Sequence, residues 1–278
     1  MTRAMAPSPP LHTPFSQGPV DFAIGLRPIG AERWLEGGEV DPAARKDPLF
    51  EQCRETVWGE TSGSQAGQDE VLSLVRAAGI GVEERPELPA LYRAARALPD
   101  DLCLMEPRSG AWRLTALSLS SPTFFTAAGV LGKNLSELHG PVPDFQARFL
   151  ARVERIFQSL PADVILERRN WTVVNTGDLF TPDPAPIRAR VGEIPSAQAG
   201  AHLHIRVERQ TLRRLPVTGG AVFTIRVWPY PLDALKADPG SVAAFASAWR
   251  NAPGPFRQYK QLHLYDQLVE AFLRASGE

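Results

Sequence analysis

Cysteine is nearly absent from this chain of 278 residues: Cys53 and Cys103 are the only two, far apart and in no Cys-x-x-Cys pair. That scarcity argues against a disulfide scaffold, a zinc ribbon or an iron–sulfur cluster on this chain, and it suits a reducing cytoplasm. Charge of one sign is also missing, since 30 Lys and Arg face 31 Asp and Glu for a formal charge of -1. No electrostatic footprint for nucleic acid or anionic lipid follows from such a balance. Nowhere do the roughly 18 consecutive apolar residues of a membrane span occur. The start carries Arg3 and then Pro7, Pro9 and Pro10 without an apolar stretch, so neither export nor membrane insertion is expected. Gly-x-Gly-x-x-Gly, Walker and Gly-x-Ser-x-Gly patterns are lacking. Gly129-Val130-Leu131-Gly132-Lys133 is too short for a phosphate loop and has no Ser or Thr after it.

What is present is enough apolar residue, 44% of the chain, to bury a sizeable core. One large α+β domain is the expectation, with an antiparallel sheet core and flanking helices. Residues 1 to about 20, rich in Pro and Ser without a hydrophobic period, read as a disordered or extended lead outside the core. The domain proper then covers residues 21–278. Val71, Leu72, Leu74 and Val75 suit a helix from Asp69 to Ala78 that Gly79 ends, and a second helix is predicted from Pro89 to Leu98. Arg108-Ser109-Gly110 between Leu102–Met105 and Ala111–Ser120 reads as a hairpin. Phe145, Phe149, Val153, Ile156 and Leu160 recur at helical spacing, with Asp144 placed to cap the start. A long proline-rich loop runs from Leu179 to Ser196. Strands follow over His202–Arg209 and Ala221–Trp228, and helices around Val242–Trp249 and Tyr259–Ala275.

Period two puts His202, His204, Arg206 and Glu208 on one face of the first of these two strands. Arg226, with Val222, Thr224 and Trp228 on the paired strand, stands near that cluster if the hairpin pairs in the matching register. A solvated sheet face with cross-strand ion pairs explains this pattern, and so does a metal-binding strand of the His-x-His-x-x-x-Glu type. His139 lies in Leu138-His139-Gly140-Pro141-Val142-Pro143, where two prolines and a glycine stiffen the backbone that aims the imidazole. A lone histidine in a turn is more often a hydrogen-bonding loop residue than a ligand. Arg168-Arg169-Asn170-Trp171 offers two guanidinium groups, an amide and an indole, suited to gripping a carboxylate beside a flat ring; a surface ion-pair patch accounts for the arginines as well.

The run Glu208-Arg209-Gln210-Thr211-Leu212-Arg213-Arg214-Leu215-Pro216, followed by Ala221 to Arg226, resembles the most characteristic stretch of the haem-dependent oxidative N-demethylase alpha-subunit-like family. Further matches lie in the family's order: Gly25-Leu26 and Trp34, Asp101-Leu102, Trp112-Arg113-Leu114, the His139 motif, Arg168-Arg169-Asn170-Trp171, and Tyr259-Lys260. The similarity extends over about residues 20–265. It implies a single haem-binding domain with a PAS-like sheet core, haem b as the iron cofactor, and oxidative removal of a methyl group from a small secondary amine such as dimethylamine. The partners it implies are dioxygen and a separate flavin and iron–sulfur reductase subunit, which agrees with the missing nucleotide and cluster motifs.

Carried over residue by residue, the resemblance makes His139 the axial ligand, with His204 and His202 as fallbacks. Arg168, Arg169, Asn170 and Trp171 become cofactor-binding. Lys133 is their possible substitute for a family cation whose place Val130 takes here. Glu208, Arg206 and Thr224 fall on the substrate side, with Glu208, Arg226 and Thr211 as catalytic candidates. Glu208 is suited to attract a cationic amine and take its proton, and Thr211 with Thr224 to relay one. Pro122-Thr123-Phe124-Phe125 departs from the family's Pro-Ser-x-Trp while keeping an aromatic ring. Two other readings stand beside this one: a non-catalytic haem-binding sensor or carrier, and a non-haem metalloenzyme using His202, His204 and Glu208.

Overall fold

Ser109 and Gly110 both take positive φ, 51° and 80°, so the chain reverses in a two-residue turn whose twist matches the strands beside it. That turn joins β3 (Asp101–Arg108) to β4 (Ala111–Ser118), as the sequence predicts. The other strands are β1 (Arg27–Ile29), β2 (Trp58–Glu60), β5 (Ile165–Val174), β6 (His204–Arg214) and β7 (Ala221–Pro231). All seven pair antiparallel in one sheet of order β1-β5-β6-β7-β3-β4-β2. The long strands β5, β6 and β7 are adjacent, and the two edges are strands of three residues each. The computed structural model describes residues 9–18, 20–37, 39 and 41–278; part of the N-terminal lead, residues 1–8 and 19, lies outside the described residues.

Helix Gln65–Ala77 ends as predicted at Gly79, whose φ of 85° lets Gly79 N–H reach the Arg76 carbonyl and Ile80 N–H the Val75 carbonyl. The second expected helix forms over Ala90–Arg96. The aromatic stripe after Pro143 is helical, but it opens with a wide turn over Gln146–Leu150 before regular helix Ala151–Ser159. Asp144 does not cap it: the residue sits in left-handed backbone at φ 55°, and only its carbonyl is used, by Arg148 N–H. The proline-rich loop folds into short turns of helix at Ala185–Arg188, Val191–Glu193 and Ser196–Gln198.

Two apolar cores form. One joins Val71, Val75, Leu91, Leu104 and Leu117 with the rings of Phe50, Trp58 and Tyr92. The second joins Trp171, Ile205 and Val207 of the sheet to Phe245, Trp249, Val269 and Phe272 of helices Pro239–Asn251 and Asp266–Ala275. Phe15 enters that second core, 3% exposed and edge-on to Trp171 and Phe245. The lead therefore reaches into the core it was expected to avoid, because burying one phenylalanine ring is worth about 1.5–3 kcal/mol and outweighs the polar context around it.

Arg209, fully buried, bonds the Glu167 carboxylate at 2.5 Å and lies 3.2 Å from that of Glu36. It also donates to the carbonyls of Trp34 and Arg33. Thr211 and Thr224 close this polar layer with a hydroxyl–hydroxyl bond of 2.7 Å.

Candidate haem-binding face

Strand register decides which side chains meet. Asn170 stands opposite Glu208 and Glu208 opposite Val227, whereas Trp171 stands opposite Val207 and Val207 opposite Trp228. Directly opposed residues share a face. One face of the sheet thus carries Arg168, Asn170, Arg206, Glu208, Gln210, Phe223 and Ile225. The other carries Arg169, Trp171, Arg209, Thr211, Thr224, Arg226 and Trp228.

On the first face Arg168, Asn170, Glu208, Gln210, Phe223 and Ile225 remain only half-buried although they lie on interior strands. Beside them the segment Leu135–Leu138 ends at His139, whose Nδ1 lies 2.8 Å from the Leu135 carbonyl oxygen. A carbonyl only accepts, so Nδ1 carries the proton and Nε2 keeps its lone pair. That is the arrangement in which a histidine binds a metal ion through one nitrogen and is oriented through the other. Phe145 stacks on the ring at 4.2 Å, nearly parallel, and fixes its plane. Burial, followed by the Arg168 charge, pushes the imidazole below its ordinary pKa and keeps it neutral, as ligation requires.

Two cations on this face lack partners. Arg168 makes no hydrogen bond or ion pair to any described residue, and burial lowers its pKa against the opposing pull of Glu208 and Tyr259. Lys260 is likewise unpaired among the described residues, and burial brings its pKa down to about 8 with Glu208 acting against the shift. Glu208 accepts the Thr123 hydroxyl at 2.6 Å and the Gln210 amide at 3.0 Å. A free imidazole nitrogen beside two unpaired cations and one hydrogen-bonded carboxylate is a donor set that fits a porphyrin, with iron at His139 and propionates at Arg168 and Lys260.

The structure separates the other expected residues from this group. Arg226, Thr211 and Thr224 lie on the opposite face, so none of them adjoins Glu208, and the two threonine hydroxyls satisfy each other in full burial. Arg169 pairs with Glu167 there at 2.9 Å, and Trp171 is enclosed by the rings of the second core, with no face left for a cofactor. Lys133 is exposed. Arg206 shares the face but is fully buried, donating to the Thr123 hydroxyl and to the Ser121, Asp178 and Leu179 carbonyls. It ties two loops together, with each of its nitrogens bonded and none exposed to grip a substrate.

His202 belongs to the short helix Ala199–His202 rather than to the strand, and it bonds Gln198. His204 is bound to the His202 carbonyl through Nδ1 and closes on Gly177 with Nε2. No group of three His, Cys, Asp or Glu side chains suited to a metal ion occurs among the described residues, so the strand-borne metal triad does not form.

Thr123 and Lys260 were not singled out as site residues by the sequence reading. The signal for Thr123 was its place at the serine of the family's Pro-Ser-x-Trp; that for Lys260 was the Tyr259-Lys260 match. No helix among the described residues is long and apolar enough to cross a membrane. A family model described as haem-dependent oxidative N-demethylase, alpha subunit-like, matches residues 78–270. That range takes in every residue of the candidate site, and it begins well after the residue 20 at which the resemblance was expected to start.

Proposed function

We propose, from the premise that this chain belongs to the haem-dependent oxidative N-demethylase alpha-subunit-like family, that it binds haem b through His139 and demethylates a small secondary amine such as dimethylamine. The observation that carries the proposal is the Nδ1 bond from His139 to Leu135, which leaves Nε2 free on the face where Arg168 and Lys260 stand unpaired. When bound, haem supplies the iron at which dioxygen is reduced and an N-methyl group is oxidised, the methyl carbon leaving as formaldehyde. The PAS-like description of the sheet core belongs to the same proposal, as does a separate flavin and iron–sulfur reductase subunit that delivers the two electrons.

The chain's own residues have distinct tasks in this reading. His139 anchors, and Phe145 holds its plane. Arg168 and Lys260 neutralise the propionates. Glu208 draws a cationic amine to the face and accepts a proton from it, while the Thr123 hydroxyl and the Gln210 amide, one on each oxygen, hold the carboxylate in position. Phe223 and Ile225 keep the amine's methyl groups out of water.

The test is a visible spectrum of protein produced with ample haem, alone and as His139→Ala, alongside formaldehyde release from dimethylamine under a chemical reductant and dioxygen. A Soret band lost or shifted in the variant, with haem affinity reduced about 100-fold or more, is expected, since even outer-shell partners of a ligand are worth 10–100-fold. An unchanged band refutes the ligand, and a band without formaldehyde from any small N-methylamine refutes the demethylase activity.

A further inference from the structure

At the free edge of β7, beyond its pairing with β3, lies a cavity of about 330 Å³ lined by Glu39, Arg45, Ser121, Arg226 and Trp228, with Pro99, Leu179, Val227 and Pro229 among its apolar walls. Arg226 is 8% exposed, and its Nε and Nη1 are buried without a hydrogen-bond partner among the described residues. No other nitrogen of this guanidinium bonds a described residue either. A guanidinium held out of water with its donors unused is costly, since each unsatisfied buried polar group costs about 1–3 kcal/mol and a charged one more. The remaining charges do not absorb it. Arg45 spends its fork on Glu39, at 2.9 Å through both nitrogens. Lys46 donates to the Ala95 and Asp100 carbonyls. The Asp100 carboxylate, fully buried, has neither oxygen hydrogen-bonded. With Asp101, whose charge acts on Lys46, three cations stand among three carboxylates, and what is left over at the cavity wall is the set of unused Arg226 donors, on which Asp100 and Glu39 act only through space.

We infer that this cavity is a second ligand site, distinct from the histidine face, that takes a small monocarboxylate: its carboxylate on the Arg226 fork and its apolar body against Trp228 and the proline walls. A planar carboxylate matches the guanidinium fork with two parallel hydrogen bonds. One such ligand supplies the acceptors that the Arg226 donors lack. The volume is at the lower end of ligand pockets, room for about ten water-sized occupants. A dianion is disfavoured by Glu39 and Asp100, and an amine by Arg226 and Arg45. The inference does not rest on haem binding, because no residue of this cavity belongs to the other face's donor set.

Thermal unfolding of the full chain, with and without haem, is followed in rising benzoate and butyrate, with benzamide, butyramide and inorganic phosphate as comparisons at matched ionic strength. A melting temperature that climbs with either carboxylate and is unmoved by the amides is expected, and the climb should persist in Arg168→Gln. In Arg226→Met the carboxylate affinity should fall about 10–100-fold, the worth of one charge-assisted pair at about 1.5–3 kcal/mol. No climb with either carboxylate, a climb only with phosphate, or a climb retained in Arg226→Met would each overturn the site. If Arg226→Met fails to fold, Trp228→Leu serves instead: a benzoate affinity equal to the parent's refutes the placement.

Discussion

The two faces of the central sheet treat arginine in opposite ways. Around Arg209, on the side facing the helical cores, every guanidinium nitrogen has a carboxylate or a carbonyl, and the group is sealed from water. Around Arg168, on the side reached by His139, the same side chain is unpaired, and the interior-strand residues beside it keep contact with solvent. Equal chemistry with unequal satisfaction separates what the fold needs for itself from what it holds ready for something else. Arg206 refines the contrast: it shares Arg168's face yet belongs with Arg209 in kind, since its donors are consumed by loop carbonyls.

The largest effect should come from the saturated side. Arg209→Ala strands the Glu167 carboxylate in the interior, and breaking a buried pair in this way costs about 3–5 kcal/mol. Urea denaturation should show that loss; a loss under 1 kcal/mol would erase the contrast. Arg168→Met should behave the other way, leaving the haem-free protein within about 1 kcal/mol of the parent or more stable, while weakening haem binding by about 10-fold or more. Equal destabilisation by both substitutions would show that Arg168 is structural too.

A smaller effect is expected at the hinge between the two kinds of arginine. Thr123→Val removes a hydroxyl used by both Arg206 and Glu208, at a cost of about 1–3 kcal/mol in stability. Amine turnover in the haem-loaded protein should fall with it, and Thr123→Ser should restore both.

The mildest test is pH. Lys260 has its pKa lowered to about 8 by burial, so its charge is present below that value and lost above it. Haem affinity should weaken as pH rises through about 8 and level off beyond, a step missing from Lys260→Met. For folding the sign is reversed. The unfolded lysine still binds its proton between about 8 and its ordinary value near 10.4, so the haem-free protein gains stability as pH rises across that window.

Much of the fold was legible because local chemistry dictates it. The Ser109-Gly110 reversal, the Gly79 helix end and the alternation along β6 all follow from backbone preferences that neighbouring residues express. The resemblance around Glu208 to Pro216 is matched by family membership, and His139 comes near enough to Arg168 to feel its charge. What escaped was register. Even-numbered residues of β6 stand opposite odd-numbered residues of β7, so Arg226 and Thr224 fall on the far side from Glu208. A shift of one residue exchanges the faces, and nothing in the spacing of either strand reveals it. Thr211, Arg169 and Trp171 failed by alternation instead: each stands an odd number of residues from Glu208 along β6 or from Arg168 and Asn170 along β5, and so points to the other side. Lys260 and Thr123 were unreadable as site members because they come from loops that only tertiary packing brings to the sheet.

Both borders of the sheet, Arg27–Ile29 and Trp58–Glu60, are too short to offer another molecule a continuous ladder, and Pro28 removes one donor from the first of them. A sheet with a half-open face would otherwise invite strand-to-strand polymerisation. Terminating each outermost strand after three residues confines addition there to a few bonds.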